Sequence, residues 1–373
     1  MDGLIVVDKP GGMTSHDVVA RIRRLAKTRR VGHGGTLDPM ATGVLIIGVN
    51  RATRLLTYVI GSEKRYTATI RLGESTVTDD AEGDVTARAS TAAVTDDAIR
   101  AELGRQVGEI DQVPSAVSAI KINGQRAYKR VRDGEDVEIP ARRITIYRLD
   151  IVDIRRPAQA GARPERADIR RPVEAGLRPE RADIRRLEEA GLRPEGADIR
   201  RSGGADAGPE GAAAGPERAD ARPERADVRP EAADAGTEGA AFVDVDIDVT
   251  CSSGTYIRAI ARDLGTALGV GGHLTALRRT AVGGLTLAEA STLSELEERA
   301  PDVIGLPMAE AAARAFPRRD ATEEEARVLS HGGPLEAVGI DGPYAVFDPA
   351  GALLAIVSEQ SGRAKPEIVL APA

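Results

Sequence analysis

The feature that most limits how this chain can fold is a tract in its middle. Asp-Ile-Arg-Arg recurs at residues 153, 168, 183 and 198, a fifteen-residue period, and later copies decay into Gly-Pro-Glu-Arg-Ala-Asp-like fragments. Residues 157–240 hold no aromatic side chain, few large aliphatics, and fifteen basic against eighteen acidic groups. Such a tract cannot bury enough apolar surface to offset the entropy of ordering it. Fifteen residues with Pro and Gly in each unit are also short for a helical solenoid. The expectation is a disordered insertion over about 156–240. On either side, Ile144–Ile154 and Phe242–Val249 alternate apolar and polar residues, the pattern of half-buried antiparallel strands. The first repeat copy begins inside the first of these strands, which puts the insertion at a hairpin tip. Closure entropy grows only logarithmically with loop length, so such a site tolerates it. The fold must then come from the remaining residues, roughly 290, enough for a main core and a smaller C-terminal one.

The N-terminal part is patterned more tightly. Leu4–Val7 reads as a strand, and Thr14 or Ser15 as the N-cap of a helix with Asp17 in its first turn. Val18, Val19, Ile22, Leu25 and Ala26 recur at helical spacing, with Arg21, Arg23, Arg24 and Lys27 on the remaining surface. Gly32 to Gly43 (Gly-His-Gly-Gly-Thr-Leu-Asp-Pro-Met-Ala-Thr-Gly) then places one carboxylate, Asp38, among residues that shape the backbone. Pro39 biases Asp38 away from helix, onto an extended ledge. Val44–Ile47 follows as a buried strand that anchors it. Taken alone, the block also fits a tight Gly/Asp/Pro turn. No Gly-Lys-Ser/Thr follows the glycines, which excludes a Walker phosphate loop. Tyr66–Leu72 reads as a strand, residues 95–107 as a helix, and Ile257–Leu268 as a helix closed by Gly269. Tyr344–Phe347, Leu353–Val357 and Ile368–Leu370 suggest a small β unit at the C-terminus.

Composition removes several classes of function. One cysteine and four histidines provide neither a disulfide framework nor a zinc site, and no metal is expected. No run of eighteen apolar residues offers a membrane span, and the first residues lack the basic region and apolar core of a secretory leader. A reducing cytoplasm is the expected compartment. The net charge of −7 conceals a local asymmetry. Residues 1–60 carry nine basic and four acidic groups, residues 251–280 four and one, residues 281–373 seven and fifteen. The basic charge thus travels with two particular segments, which would attract an RNA backbone while the C-terminal part repels it.

Four ordered blocks carry a resemblance. They are Gly3 to Asp17 (including Asp8-Lys9-Pro10), Gly32 to Gly43, Lys64-Arg65-Tyr66 with Arg71-Leu72-Gly73, and Cys251 to Arg258 continuing to Leu277-Arg278-Arg279. Together they resemble the bacterial tRNA pseudouridine-55 synthases, the TruB-type pseudouridine synthases, over nearly all of the chain outside the repeat tract. The resemblance implies an α+β pseudouridine synthase fold, a mixed, mostly antiparallel sheet flanked by helices, over residues 1–305. It also implies a thumb at about 112–143 and a PUA-like β domain over 306–373. The implied activity is isomerisation of uridine 55 in the tRNA T-loop, by base flipping and without a cofactor.

By the same resemblance, Asp38 acts as nucleophile or initiating base, Arg258 pairs with it, and Tyr66 stacks on the target base and assists removal of the C5 proton. Tyr256 and Leu277 line the pocket, His33 inserts into the T-arm beside the flipped base, and Lys9 with Pro10 braces the active-site loop. In the thumb, Lys121, Arg126, Lys129 and Arg132 are expected phosphate contacts. The expected partner is the tRNA T-arm, with no required protein partner, no membrane and a monomeric chain. A non-catalytic RNA-binding or tRNA-folding protein on the same scaffold is the competing expectation.

Overall fold

The computed structural model describes residues 2–115, 121–122, 125–126, 139–156 and 242–371. Residues 157–240 of the repeat tract, and Lys129 and Arg132 of the expected thumb, lie outside the described residues. Of Lys121 and Arg126 the backbone alone is described; they pair across a two-residue ladder.

Two apolar strands lie side by side at the centre. β1 (Gly3–Lys9) pairs antiparallel with β3 (Thr42–Val49) from Gly3↔Val49 to Lys9↔Gly43. Both are buried on both faces, which is why they read as continuous apolar runs. Ile5, Val7, Leu45 and Ile47 enter one core with Val18, Val19 and Ile22 of α1 (Ser15–Leu25). Leu4, Val6, Val44 and Ile46 enter a second core on the other face. Thr14 caps α1 through a capping box with Asp17.

The sheet continues through β4 (Lys64–Leu72), β7 (Gly108–Gln112), β10 (Arg142–Arg155), β11 (Val243–Cys251), β12 (Gly272–Val282) and β14 (Leu306–Pro307). Its order is β14-β1-β3-β12-β4-β11-β10-β7, and β2 (Val31–Gly34) and β13 (Leu285–Thr286) pair off this path. Among the described residues every ladder of this sheet is antiparallel except β3 with β12. The class is α+β, with a mixed, mostly antiparallel sheet. β10 and β11 are the two strands that flank the repeat tract, and they pair up to Arg155↔Asp244. The tract therefore leaves the chain at a hairpin end, as its sequence implies.

At the one parallel contact, Thr42 and Gly43 meet Arg278 and Arg279. Gly43 sits at φ 97°, and a Cβ there would lie 2.2 Å from the Arg279 carbonyl oxygen. Only glycine lets β3 and β12 approach at this point. Two further helices, α3 (Asp96–Arg105) and α4 (Ile257–Ala267), cover the first core with Ile99, Leu103, Ile260 and Leu264.

The C-terminal residues form a five-stranded sheet whose Phe347, Leu353 and Ile356 share the second core with Leu55, Leu56 and Tyr58. Arg51 donates to the Leu370 carbonyl at 3.0 Å, Arg54 to that of Val369 at 2.8 Å, and the Tyr58 hydroxyl to Glu367 at 2.6 Å. The small β unit expected from Tyr344–Phe347 and Leu353–Val357 is present and packs tightly on residues 50–60. Its final strand, Arg363–Val369, begins earlier than the apolar residues alone indicate.

Candidate active site

Residues 35–41 form a loop between β2 and β3, and buried groups hold it from three sides. Lys9, fully buried at the end of β1, donates to the carbonyls of Pro10 (2.9 Å), Pro39 (3.1 Å) and Ala41 (2.6 Å). Arg279 of β12, 1% exposed, donates to Val44 (2.7 Å), Gly35 (3.1 Å) and Thr36 (3.4 Å) carbonyls. Ser15, at the start of α1, accepts from the Leu37 amide at 2.9 Å and donates to its carbonyl at 3.1 Å. The loop's own carbonyls satisfy both cations, so their charge is left over to act on whatever the loop presents.

The loop presents Asp38, whose side chain is 35% exposed. Arg258, the second residue of α4, comes within 3.1 Å of one carboxylate oxygen through Nε and 3.4 Å of the other through Nη2. Its Nη1 donates to the Thr78 carbonyl at 2.9 Å and to Asp80 at 3.2 Å. A cation at a helix N-terminus opposes the helix dipole; here two carboxylates offset that. Asp80 is 2% exposed and also accepts from the Glu82 amide at 3.0 Å. Burial pushes the Asp38 carboxyl above its ordinary range; Arg258, then Lys9 and Arg279, pull it down, and Asp80 pushes it up. The arrangement sets burial, which favours the protonated carboxyl, against a guanidinium that favours the ionised one.

Tyr66 and Leu277 sit on the adjacent strands β4 and β12, where Tyr66 is opposite Arg279 and Leu277 opposite Ala68. Tyr66 of β4 is buried, and burial pushes its phenol up to about 12. Leu277 of β12 is buried, and Tyr256, the N-cap of α4, is half-buried. Gln112 fixes the Tyr256 backbone from both sides, accepting from its amide at 2.9 Å and donating to its carbonyl at 3.2 Å. Burial also pushes Lys64, beneath the loop, down to about 7.

His33 is buried in the chain without RNA. It is 7% exposed on β2, edge-on to His16 with ring centroids 5.3 Å apart, and so does not project from the surface here. Burial, His16 and Arg279 push its imidazole down to about 4, so it is neutral at neutral pH. Its Nδ1 is buried with no hydrogen-bond partner in the structure.

The structure thus brings Arg258 and Lys9 to the Asp38 loop, with Tyr66 and Leu277 on the neighbouring strands and Tyr256 at the N-cap of the helix that carries Arg258. Sequence reasoning missed Asp80 and Arg279. Asp80 lies in Thr76–Gly83, which reads as an ordinary acidic turn. Arg279 stands in the Leu277-Arg278-Arg279 block, but in a strand with His273, Thr275, Arg278 and Thr280 nothing local marks it as the cation that holds the loop. Among the described residues no group of three or more His, Cys, Asp or Glu could hold a metal ion, and no helix is long and apolar enough to cross a membrane.

Residues 23–173 match the family model of the TruB family pseudouridylate synthase N-terminal domain. Residues 258–302 match the tRNA pseudouridylate synthase B C-terminal domain, and 316–371 the tRNA pseudouridine synthase II C-terminal model. The chain is 47% identical over 381 residues to the tRNA pseudouridine synthase B of Arthrobacter sp. (strain FB24), covering all of this chain and 97% of that one. It is 44% identical over 370 residues to its counterpart in Thermobifida fusca (strain YX), covering 99% of each. Among solved structures it resembles a chain of an H/ACA ribonucleoprotein bound to a substrate RNA containing 2′-deoxyuridine. The TM-score is 0.56 at 20% identity, over 99% of this chain and 85% of that one. A chain of a Cbf5–Nop10–Gar1 complex gives the same TM-score at 21% identity, with the same coverage. At such identities the likeness is one of fold.

Proposed function

This chain belongs to the TruB family of pseudouridylate synthases, and from that premise we propose that it isomerises uridine 55 of the tRNA T-loop to pseudouridine. The observation that carries the reading is the Asp38–Arg258–Asp80 arrangement beside the loop that Lys9 and Arg279 hold. The reaction breaks the C1′–N1 bond, turns the uracil, and joins C5 to C1′. N1 gains a proton and C5 loses one, so the change is redox-neutral and balances without a cofactor. Attack on the nucleotide and proton abstraction from it both begin with an ionised carboxylate, which Arg258 secures at Asp38. Tyr66, with its phenol protonated across the physiological range, serves as the stacking face for the base. Leu277 and Tyr256 close the pocket around the extruded uracil, whose unstacking costs a few kcal/mol. Lys9 positions the loop and does not touch the base.

The RNA-binding face is basic. Arg23, Arg24, Lys27, Arg29 and Arg30 are exposed at the end of α1 and in the turn before β2. That turn is fixed by the Thr28 hydroxyl on Asn50 at 2.8 Å and the Asn50 amide on the Arg30 carbonyl at 2.7 Å. We assign residues 1–305 as the catalytic domain, 112–143 as the thumb, and 306–373 as a PUA-like domain. His33 reaches the T-arm by leaving His16 when RNA binds. The enzyme works as a cytoplasmic monomer on the T-arm alone.

The test is tritium release from an unmodified tRNA transcript labelled at C5 of its uridines, with the product site mapped. Release from position 55 by wild type, and none by Asp38→Asn with RNA affinity retained, is expected. Tight binding without release from wild type would instead indicate a non-catalytic RNA-binding protein.

A further inference from the structure

Arg258 and Arg262 lie one helical turn apart on α4, a like-charge spacing that disfavours an isolated helix. Two successive carboxylates of one turn receive them. Arg258 takes Asp80; Arg262 pairs with its neighbour Asp263 at 2.8 Å through Nη2 and turns Nη1 to within 3.6 Å of Asp79 Oδ2. Asp79 sits at φ 58°, a backbone region that non-glycine residues hold only when their surroundings enforce it. The enforcement is visible. From the β12 side, the Leu274 amide donates to the Asp79 carbonyl at 3.0 Å. Within the turn, the Thr76 hydroxyl donates to the Asp80 carbonyl at 2.8 Å. On the opposite side Arg262 donates to the carbonyls of Val113 (2.7 Å) and Pro114 (3.4 Å), just after β7. Next along, the fully buried Ser115 donates to the Thr78 carbonyl at 3.3 Å. That same carbonyl accepts from Arg258 at 2.9 Å.

We infer that Arg262 is a positioning residue for the reaction: by clamping Asp79 to the Val113–Ser115 segment, it fixes the turn whose Thr78 carbonyl and Asp80 carboxylate hold Arg258 against Asp38. The inference rests on the proposed role of Asp38. Arg262 acts through Asp79 and not on the substrate. Misplacement of a catalytic group by about an ångström costs up to about a hundredfold in rate, so removing the clamp is read in turnover. It is also read in pH dependence. The charged groups facing Asp38 are Arg258 from α4, Asp80 from the turn, Lys9 from β1 and Arg279 from β12. Lys9 and Arg279 are held by loop carbonyls and stay in place when the turn relaxes. Arg258 is the largest of the four influences, so its displacement outweighs that of Asp80 and lets the Asp38 carboxyl rise. Activity is then lost first from the acid side.

The experiment measures single-turnover tritium release by the full-length chain against pH, with RNA affinity and Tm measured in parallel. It compares wild type, Arg262→Gln, Arg262→Lys, Asp79→Asn and the Arg262→Gln/Asp79→Asn double variant. Asp79→Asn preserves side-chain volume and so tests the clamp without emptying space. Each of the Gln and Asn variants should lower the rate about 10- to 100-fold and move the acid limb upward, with affinity within about twofold. Arg262→Lys, which keeps the charge near Asp79, should recover part of the rate. The double variant should lose no more than the worse single one, as coupled residues do. Rates and acid limb unchanged in the single variants, or strictly additive losses, would overturn the inference, as would a loss confined to affinity or Tm. No release from wild type would instead overturn the reading of Asp38 on which it stands.

Discussion

Arg258→Met removes the guanidinium while keeping much of the side-chain volume, and its effect follows from what remains. Asp38 and Asp80 would share the site with no cation between them. Burial and Asp80 both push the Asp38 carboxyl up, and the largest opposing influence, Arg258 at 3.1 Å, is gone. An opposite charge at that distance holds a carboxyl down by about 1–3 units. Solvent tempers that hold here, because 35% of the Asp38 side chain is exposed. The ionised form is the active one, so raising its pKa leaves the alkaline plateau and removes activity as pH falls through the new, higher value. The rise costs about 10- to 100-fold at any pH below both values. Loss of orientation adds a pH-independent factor. Stability should fall as well, by about 3–5 kcal/mol, since Asp80 is left as an uncompensated buried charge. Single-turnover tritium release between about pH 5.5 and 9 separates these contributions, with urea unfolding for the last. A rate ratio to wild type that is constant across pH would refute the claim that Arg258 acts by keeping Asp38 ionised.

Gly43→Ala should cost about 3 kcal/mol or more, because a Cβ 2.2 Å from the Arg279 carbonyl forces β3 and β12 apart; a Tm within about 2 °C of wild type would contradict this. Tyr66→Phe should keep most of the single-turnover rate, whereas Tyr66→Leu should lose the stacking contribution of about 1–3 kcal/mol. Equal losses in the two variants would show that the hydroxyl, not the ring, is what matters. Replacing Arg29 and Arg30 by Gln should flatten the salt dependence of RNA binding by about one unit for each phosphate no longer neutralised, with the rate at saturating RNA unchanged. An unaltered salt slope would place the RNA elsewhere. Lys9→Met leaves three carbonyls without their donor, that of Ala41 buried, at about 1–3 kcal/mol. It should lower Tm and rate together, and a full rate with a lowered Tm would separate the brace from the chemistry.

The fold was legible wherever one physical requirement dominated. α1 announced itself through a capping residue and an apolar stripe, and its structure adds only the choice of Thr14 over Ser15 as cap. β4 and β11 alternate buried and half-buried residues along their whole length, and both were visible at period two. β12 was not. Covered on both faces along much of Gly272–Val282, it carries His273, Arg278 and Arg279, each with a buried or half-buried partner. A strand whose polar residues are satisfied internally shows neither alternation nor an apolar run. β2 escaped notice for a related reason. Three of its four residues, 32–34, were read as part of a glycine-rich ledge, although the strand pairs with β3 from Val31↔Val49 to Gly34↔Ile46.

The site divides along the same line. Asp38 was legible because the chain spends several glycines and a proline on shaping one loop, and such residues mark a backbone held to a purpose. Arg258 and Tyr66 came through the resemblance, since an arginine opening a helix and a tyrosine on a strand are each unremarkable alone. Asp80 had no local mark, because its function is relational: it balances Arg258 from a turn 178 residues away in sequence. The cations show why such relations matter. Lys9 and Arg279 take backbone carbonyls as partners, whereas Arg258 takes carboxylates. The first two therefore lend the loop positive charge, and only the third can be displaced by a small movement of the Thr76–Asp80 turn. An electrostatic site built this way is tuned at the element that carries Arg258's partners. Substitutions in Thr76–Asp80 should therefore move the pH profile more than equally close substitutions around Lys9 or Arg279.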